Sequence, residues 1–194
     1  HEEIVNTFLV HDCIAHWAQV QPQAVALASE CEQLTFAQLH QRVQAQAVQW
    51  GQSACEQAAP TVLLPLHLGV VEGLVQFLAV LASGRCAAIG DAAWPPAIAQ
   101  SVQAAVAALP PYRAAAPDLM PFYIGFTSGS SGQPKGFRRH HRSWVESFAI
   151  TAQTFGAQLT GPVLAPGRIS HSLFLFAAML GLWTCLLYNS DAAD

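Results

Sequence analysis

Charged side chains are scarce in this chain of 194 residues. Asp, Glu, Lys and Arg make up 10% of the sequence, whereas hydrophobic residues make up 53%; ordinary globular domains carry about 25% charged residues. The formal net charge of −4 argues against a nucleic-acid-binding protein, because such proteins present basic surfaces. Two interpretations of the low charge stay open: a soluble domain rich in Gln, Ser and His, or a domain that packs an apolar face against further protein.

Paired cysteines and long apolar runs are also lacking. The five cysteines are odd in number and form no CxxC pair, which indicates reduced thiols in a cytoplasmic protein rather than a disulfide framework. No signal-peptide pattern is visible. The apolar stretch 173–188 is shorter than the roughly 20 residues of a spanning helix, so it predicts a core helix, with a membrane anchor as the alternative. His11, Cys13 and His16 fit no zinc spacing, and no metal site is predicted.

Strand and helix patterns alternate along the chain. The Thr35–Gln38 segment has the form of a capping box and predicts a helix start. Helical spacing predicts further helices over 70–81, 96–109, 143–155 and 172–187. Strand patterns cover 24–28, 61–66, 86–89, 122–126, 137–139 and 163–164. This alternation predicts an α/β fold with a layered, mostly parallel sheet flanked by helices. The segment 110–121 holds four prolines and is predicted to be a connecting loop.

One loop carries the clearest chemical signal. The segment Thr127–Gly136 has the sequence TSGSSGQPKG, and Lys135 is the only lysine of the chain. Four of the eight Lys and Arg residues fall between Lys135 and Arg142. Glycines let backbone N–H groups approach a ligand, hydroxyls donate hydrogen bonds and lysine supplies a point charge. The loop therefore predicts a polyphosphate site, the alternative being a solvated Gly/Ser turn.

The loop fits neither the GxxxxGK[ST] pattern nor GxGxxG. Together with its preceding strand, the segment 122–136 resembles the phosphate-loop motif of the AMP-forming, adenylate-forming ligases, which include acyl-CoA synthetases, adenylation domains of peptide synthetases and luciferases. Ser131 stands where the family usually has Thr. The segments Trp17–Ala26 and Leu34–Leu39 resemble the opening of that family, and Gly84–Pro95 resembles its second marker. The resemblance thus covers nearly the whole chain, in order.

The resemblance implies a set of site residues. It assigns the β- and γ-phosphates of ATP to Thr127, Ser128, Gly129, Ser130, Ser131, Gly132, Lys135 and Gly136. It also implies that His171 lies beside the acyl pocket and that His141 is either a phosphate contact or a helix cap. No catalytic residue of the family is matched. The arginines between Lys135 and Arg142 are left as a solvated face, a phosphate or CoA contact, or a nucleic-acid patch.

The function implied by the resemblance is part of an ATP-dependent acid–thiol ligase, most similar to acyl-CoA synthetases. Such an enzyme forms an acyl-AMP, releases pyrophosphate and passes the acyl group to CoA or to a phosphopantetheine carrier. We expect residues 1–194 to form the N-terminal part of the AMP-binding domain, without a lid domain, and the Glu that binds Mg²⁺ to lie downstream. The expected partners are ATP, a carboxylic acid, the thiol acceptor and the remainder of the ligase chain, with no nucleic acid and no membrane span. The alternative is a non-catalytic interaction module that retains the fold.

Overall fold

The computed structural model describes residues 8–52, 60–129, 132–155 and 169–190. The predicted strand at 163–164 lies outside these ranges. In chain order the elements are α1 (Asp12–Val20), β1 (Val25–Ala28), β2 (Gln33–Thr35), α2 (Phe36–Gln52), β3 (Thr61–Leu63), α3 (Val70–Ala82), β4 (Cys86–Ala88), α4 (Pro96–Ala107), a short 3-10 helix (Pro117–Leu119), β5 (Pro121–Thr127), β6 (Lys135–His140), α5 (His141–Phe155) and α6 (Ser172–Ser190).

Two helix ends show how the local sequence fixes the elements. At the start of α2, the Gln38 N–H donates to Thr35 Oγ1 over 3.2 Å and the Thr35 N–H donates to Gln38 Oε1 over 2.9 Å, which confirms the capping box. After α3, Gly84 adopts a φ of 80°. Its N–H donates to the Leu81 carbonyl and the next N–H donates to the Val80 carbonyl, the paired bonds of a Schellman motif.

Four strands form one mixed sheet in the order β3–β4–β5–β6. The pairs β3–β4 and β4–β5 are parallel, with Thr61 opposite Cys86 and Ala87 opposite Tyr123. The pair β5–β6 is antiparallel, because the chain returns directly as a hairpin and not through a crossover helix. The predicted α/β fold with a helix-flanked sheet is confirmed. A separate antiparallel pair, β1–β2, is not anticipated by the sequence pattern.

The sheet separates two hydrophobic cores. Alternate residues of a strand face opposite sides, so Tyr123 contributes to the larger core and Ile124 to the smaller one. The larger core holds buried side chains of α1, α2, α3, α5 and α6. The smaller core lies under α4, which supplies Val102 and Val106. This three-layer arrangement positions the carboxyl ends of the parallel strands at one edge of the sheet.

Helix α6 follows the predicted core helix closely and begins at Ser172. Leu175, Met179 and Leu182 are buried, and the helix packs against α1 and α5. Within the described ranges, no helix combines the length and the apolar character that crossing a bilayer requires. The core-helix interpretation is therefore the one that the packing supports.

Candidate phosphate-binding site

The candidate loop is the turn of the β5–β6 hairpin. Thr127 at the end of β5 pairs with Lys135 at the start of β6, and the Thr127 hydroxyl donates to the Lys135 carbonyl over 3.4 Å. Inside the turn, the Gly132 N–H donates to the Gly129 carbonyl over 3.2 Å. Gly132 has a φ of 79°, a conformation that glycine adopts without steric cost. Ser130 and Ser131 lie outside the described residues.

Two cross-strand phenylalanine–glycine pairs support the base of this turn. Gly125 lies opposite Phe137, and Phe126 lies opposite Gly136. A Cβ atom at Gly125 would collide with the Phe137 ring and with the Tyr123 hydroxyl. A Cβ atom at Gly136 would stand 3.4 Å from the Phe126 ring. Each ring therefore covers the glycine across from it, one pair on each face of the hairpin.

The positively charged side chains of the hairpin differ in their partners. Lys135 is exposed, and no carboxylate among the described residues forms an ion pair with it. The Arg138 guanidinium lies 5.6 Å from the centre of the Tyr112 ring, and that of Arg139 lies 4.7 Å from the Phe137 ring. These two cations are held against aromatic faces, whereas Lys135 stands free beside the loop.

The loop shares its sheet edge with a cleft. Because β3, β4 and β5 are parallel, their carboxyl ends meet at one edge, where α/β proteins bind ligands. The loop follows β5 there, and a cleft of about 360 Å³ opens after β3 and β4. Its walls are formed by 65–70, Ile89, Gly90, Ala92, Ile169 and Ser170. The buried Ser170 hydroxyl has no hydrogen-bond partner among the described residues.

Sequence comparison finds CoA ligases. Over 77 residues, which is 38% of its length, the chain is 48% identical to the uncharacterized acyl-CoA ligase YhfT of Bacillus subtilis. Over 62 residues, or 32% of the chain, it is 42% identical to VraA of Staphylococcus epidermidis, which carries the name of a long chain fatty acid-CoA ligase. The matches span 16% and 14% of those two proteins. No family model matches the chain.

Solved structures share the fold over most of the chain. The peptide synthetase FmoA3, solved with AMPPNP, has a TM-score of 0.74 and 18% identity, covering 90% of this chain and 22% of that one. The fatty acyl-adenylate ligase from L. pneumophila, in complex with acyl adenylate and pyrophosphate, has a TM-score of 0.70 and 18% identity, covering 91% and 38%. The chain is therefore similar in sequence to proteins named as CoA ligases and shares the fold of adenylate-forming ligases. At these identities the solved structures show the shared fold.

Arg142 forms an ion pair with a carboxylate away from the candidate loop. Its guanidinium donates to both carboxylate oxygens of Asp118, over 2.6 and 3.0 Å. The hydrogen bonds from Arg142 lower the pKa of Asp118 below its ordinary value. The pair joins α5 to the proline-rich 110–121 segment. Arg142 is therefore engaged in the fold and is not carried into the proposed phosphate site.

His141 is buried in the core of the fold. The ring is 6% exposed, stacks 4.9 Å from Phe122, and its Nδ1 accepts a hydrogen bond from the Val10 N–H over 3.0 Å. Burial, with a smaller contribution from nearby His11, lowers the pKa of His141 to about 3. A neutral, buried ring that already accepts a hydrogen bond anchors the start of α1. The phosphate contact is therefore not retained in the proposed site, and the residue begins α5.

His171 is exposed immediately before α6. Its carbonyl accepts the Leu175 N–H over 3.0 Å, and its neighbour Ser170 lines the cleft. The described structure thus brings three predicted features to one sheet edge: the loop, its lysine and the turn before α6. It separates them from His141, which is buried in the core, and from Arg142, which is half-exposed and paired with Asp118.

The sequence pattern misses the residues that support the loop from below. The two phenylalanine–glycine pairs depend on cross-strand register, and register becomes visible only once the hairpin is known. Trp94 lies inside the segment Gly84–Pro95, yet nothing in the sequence indicates that its ring meets the Phe126 ring of the hairpin. The glycines at 125 and 136, which flank the loop, were the available signal.

Proposed function

We propose that the loop Thr127–Gly136 binds the β- and γ-phosphates of ATP in an acid–thiol ligase of the acyl-CoA synthetase type. The observation that carries this proposal is the placement of a glycine- and hydroxyl-rich turn, ending in one exposed lysine, at the carboxyl edge of the sheet. The relatives named as CoA ligases and the neighbours solved with AMPPNP or with acyl adenylate and pyrophosphate support ATP as the ligand.

The chemical task of the loop is to stabilise a leaving group. A carboxylate oxygen attacks the α-phosphorus of ATP, the bond from that phosphorus to the bridging oxygen breaks, and pyrophosphate leaves with the electron pair. Negative charge then accumulates on the β- and γ-oxygens. In this proposal the hydroxyls of Thr127 and Ser128, backbone N–H groups of the loop and the Lys135 ammonium donate to those oxygens. The Thr127 hydroxyl and the Gly132 N–H donate to carbonyls within the turn in the described structure, so they must turn from these acceptors to the phosphates. Ser130 and Ser131 would add two further hydroxyl donors.

Magnesium is expected to reach this site together with ATP. The segment Thr127–Gly136 contains no carboxylate, so its residues offer the ion hydroxyl and carbonyl oxygens alone. Such a set suits Mg²⁺ that is already held by substrate phosphates and its own waters. When bound, the ion neutralises charge on the phosphate oxygens. A carboxylate ligand would come from elsewhere in the protein.

We also propose where the carboxylic acid binds, which thiol accepts the acyl group and where in the cell the protein acts. The acid must reach the α-phosphate, so its site must share the sheet edge with the loop. The cleft lined by Ser170 opens there, and we propose that His171 borders the acyl site beside it. CoA or a phosphopantetheine carrier protein would accept the acyl group, in the cytoplasm, with the rest of the ligase completing the site.

Pyrophosphate exchange tests the proposal. Incorporation of labelled pyrophosphate into ATP is measured with aliphatic, aryl and amino acids, using the chain and the longest natural protein that contains it. Lys135→Ala should reduce exchange by about tenfold to a hundredfold, the value of one charge-assisted hydrogen bond. Arg139→Ala, which removes a charge from the same strand, is the matched control and should change exchange little.

Two outcomes separate the candidate functions. Exchange with at least one acid, lost in Lys135→Ala, supports the ligase. Binding of MgATP without exchange for any acid supports the non-catalytic module instead. Neither exchange nor MgATP binding in the longest protein would refute the assignment of the loop.

A further inference from the structure

Trp94 occupies a fixed turn between β4 and α4. Its backbone N–H donates to the Asp91 carbonyl over 3.1 Å, and the Ala93 N–H donates to the Asp91 carboxylate over 2.9 Å. Pro95 and Pro96 follow and start α4, so the backbone on both sides of the tryptophan is restrained. Gly90 lies under the indole: a Cβ atom there would stand 2.7 Å from the ring. The indole is thus held at a defined position on the smaller core.

The indole ends against the base of the phosphate loop. Its ring packs edge-to-face on Phe126, with ring centroids 5.2 Å apart and an interplanar angle of 84°. Phe126 immediately precedes Thr127, the first residue of the loop. On the opposite strand, Gly136 leaves room for the Phe126 ring. Trp94, Phe126 and Gly136 therefore form a continuous column that ends where the loop begins and returns.

We propose that Trp94 is a positioning residue for the phosphate loop: its indole fixes Phe126 over Gly136 and so holds the two ends of the loop in register. This inference rests on the proposed phosphate-binding function of that loop. Edge-to-face aromatic pairs are favourable beyond their buried area. Removing the indole leaves Phe126 without its neighbour on one side, so the Thr127–Lys135 end of the hairpin opens more often, and the loop donors lose their preorganised arrangement.

A single-site cleavage assay reads this opening directly. Lys135 is the only lysine of the chain, so a lysine-specific protease cuts at one bond, between Lys135 and Gly136, the first two residues of β6. Cleavage requires that end of the hairpin to open, and its rate follows the open population when reclosing is fast. Trp94→Ala should raise the cleavage rate between about twofold and tenfold, the value of one aromatic pair. Trp94→Phe, which keeps a ring, should restore the rate to near the wild-type value.

Trp50→Ala is the matched control, because it removes another half-buried indole that packs on the larger core instead. It should leave cleavage at Lys135 near the wild-type rate at temperatures well below unfolding. Should Trp94→Ala fail to fold, Trp94→Leu removes the aromatic contact with a smaller change in volume. Wild-type cleavage in a folded Trp94→Ala or Trp94→Leu variant overturns the proposal, as does an equal increase in Trp50→Ala.

Nucleotide affinity provides the second readout. In the full protein, Trp94→Ala should weaken MgATP binding by a similar factor, with recovery in Trp94→Phe and no loss in Trp50→Ala. Unchanged MgATP affinity alongside faster cleavage would also overturn the positioning role. If the wild-type protein does not bind MgATP, the phosphate function fails, and cleavage still decides whether Trp94 holds the hairpin.

Discussion

Acid should destabilise this fold chiefly through His141. The folded pKa of His141 is about 3, against 6.5 for an unperturbed histidine. Because the folded value lies below the unfolded value, the unfolded chain binds the extra proton between these two pH values. The stabilisation is complete above pH 6.5 and is lost as the pH falls. Each pH unit in this window costs about 1.4 kcal/mol, so the loss from His141 is about 2 kcal/mol at pH 5 and about 4 kcal/mol at pH 3.

The structure gives this pH dependence its cause. The Val10 N–H donates to His141 Nδ1, and a protonated Nδ1 can no longer accept that bond. The His11 ring lies 5.8 Å away, and burial lowers the pKa of His11 too, so a second proton adds repulsion. The carboxylate of Asp118 also has a lowered pKa, because Arg142 donates to it. The stabilisation from Asp118 is present above its ordinary pKa of 3.8. It therefore does not change between pH 7 and pH 5.

Urea unfolding at pH 7 and at pH 5 measures the effect. His141→Asn keeps an acceptor oxygen near the Nδ1 position without a titrating ring, so its loss of stability between these pH values should be about 2 kcal/mol smaller than that of the wild type. His171→Asn, made on an exposed ring, controls for the removal of an imidazole. Equal losses in the wild type and in His141→Asn would refute the reasoning.

Three further predictions concern the hairpin and the helix ends. In thermal unfolding, Gly125→Ala should lower the free energy of unfolding by about 1–3 kcal/mol, because its methyl group overlaps the Phe137 ring. Gly136→Ala, where the contact with Phe126 is ordinary, should lower the same free energy and the thermal midpoint less. Asp118→Asn should lower the thermal midpoint less in 1 M salt than in dilute buffer, since salt screens the ion pair; equal shifts would contradict an electrostatic role. Thr35→Ala should cost about 1 kcal/mol in urea unfolding through loss of the helix cap, and no change would argue against the capping box.

Local chemistry made most of the fold predictable. The capping box at Thr35 places the start of α2, apolar spacing places α3 and α6, and strand patterns place β3, β4 and β5. The antiparallel pairing of β6 with β5 could not be predicted, because a hairpin turn and a loop that leads to a crossover helix have similar glycine-rich sequences. The strand predicted at 24–28 is β1 (Val25–Ala28), but its partner β2 has only three residues and is too short to be identified from its own sequence.

The part of the site that could be predicted is the part whose residues lie together in the loop sequence. The position of Lys135 beside the turn follows from the sequence, because the lysine stands within a ten-residue segment that holds three glycines. The burial of His141 does not follow, since its partner is a backbone N–H that lies far away in sequence, at Val10. The contact of Trp94 with Phe126 likewise joins residues that are far apart in sequence. Nothing in the identity of either residue predicts it.

Chemical labelling of Lys135 tests the central claim most directly. Lys135 carries the only side-chain amine of the chain, and the N-terminal amine serves as an internal reference. An amine-acylating reagent is applied with and without MgATP or pyrophosphate, and both sites are quantified by mass spectrometry. If the loop binds the β- and γ-phosphates, either ligand should slow acylation of Lys135 relative to the N-terminus, by about tenfold at ligand concentrations near ten times Kd. Equal acylation rates at saturating MgATP would contradict phosphate binding by this loop.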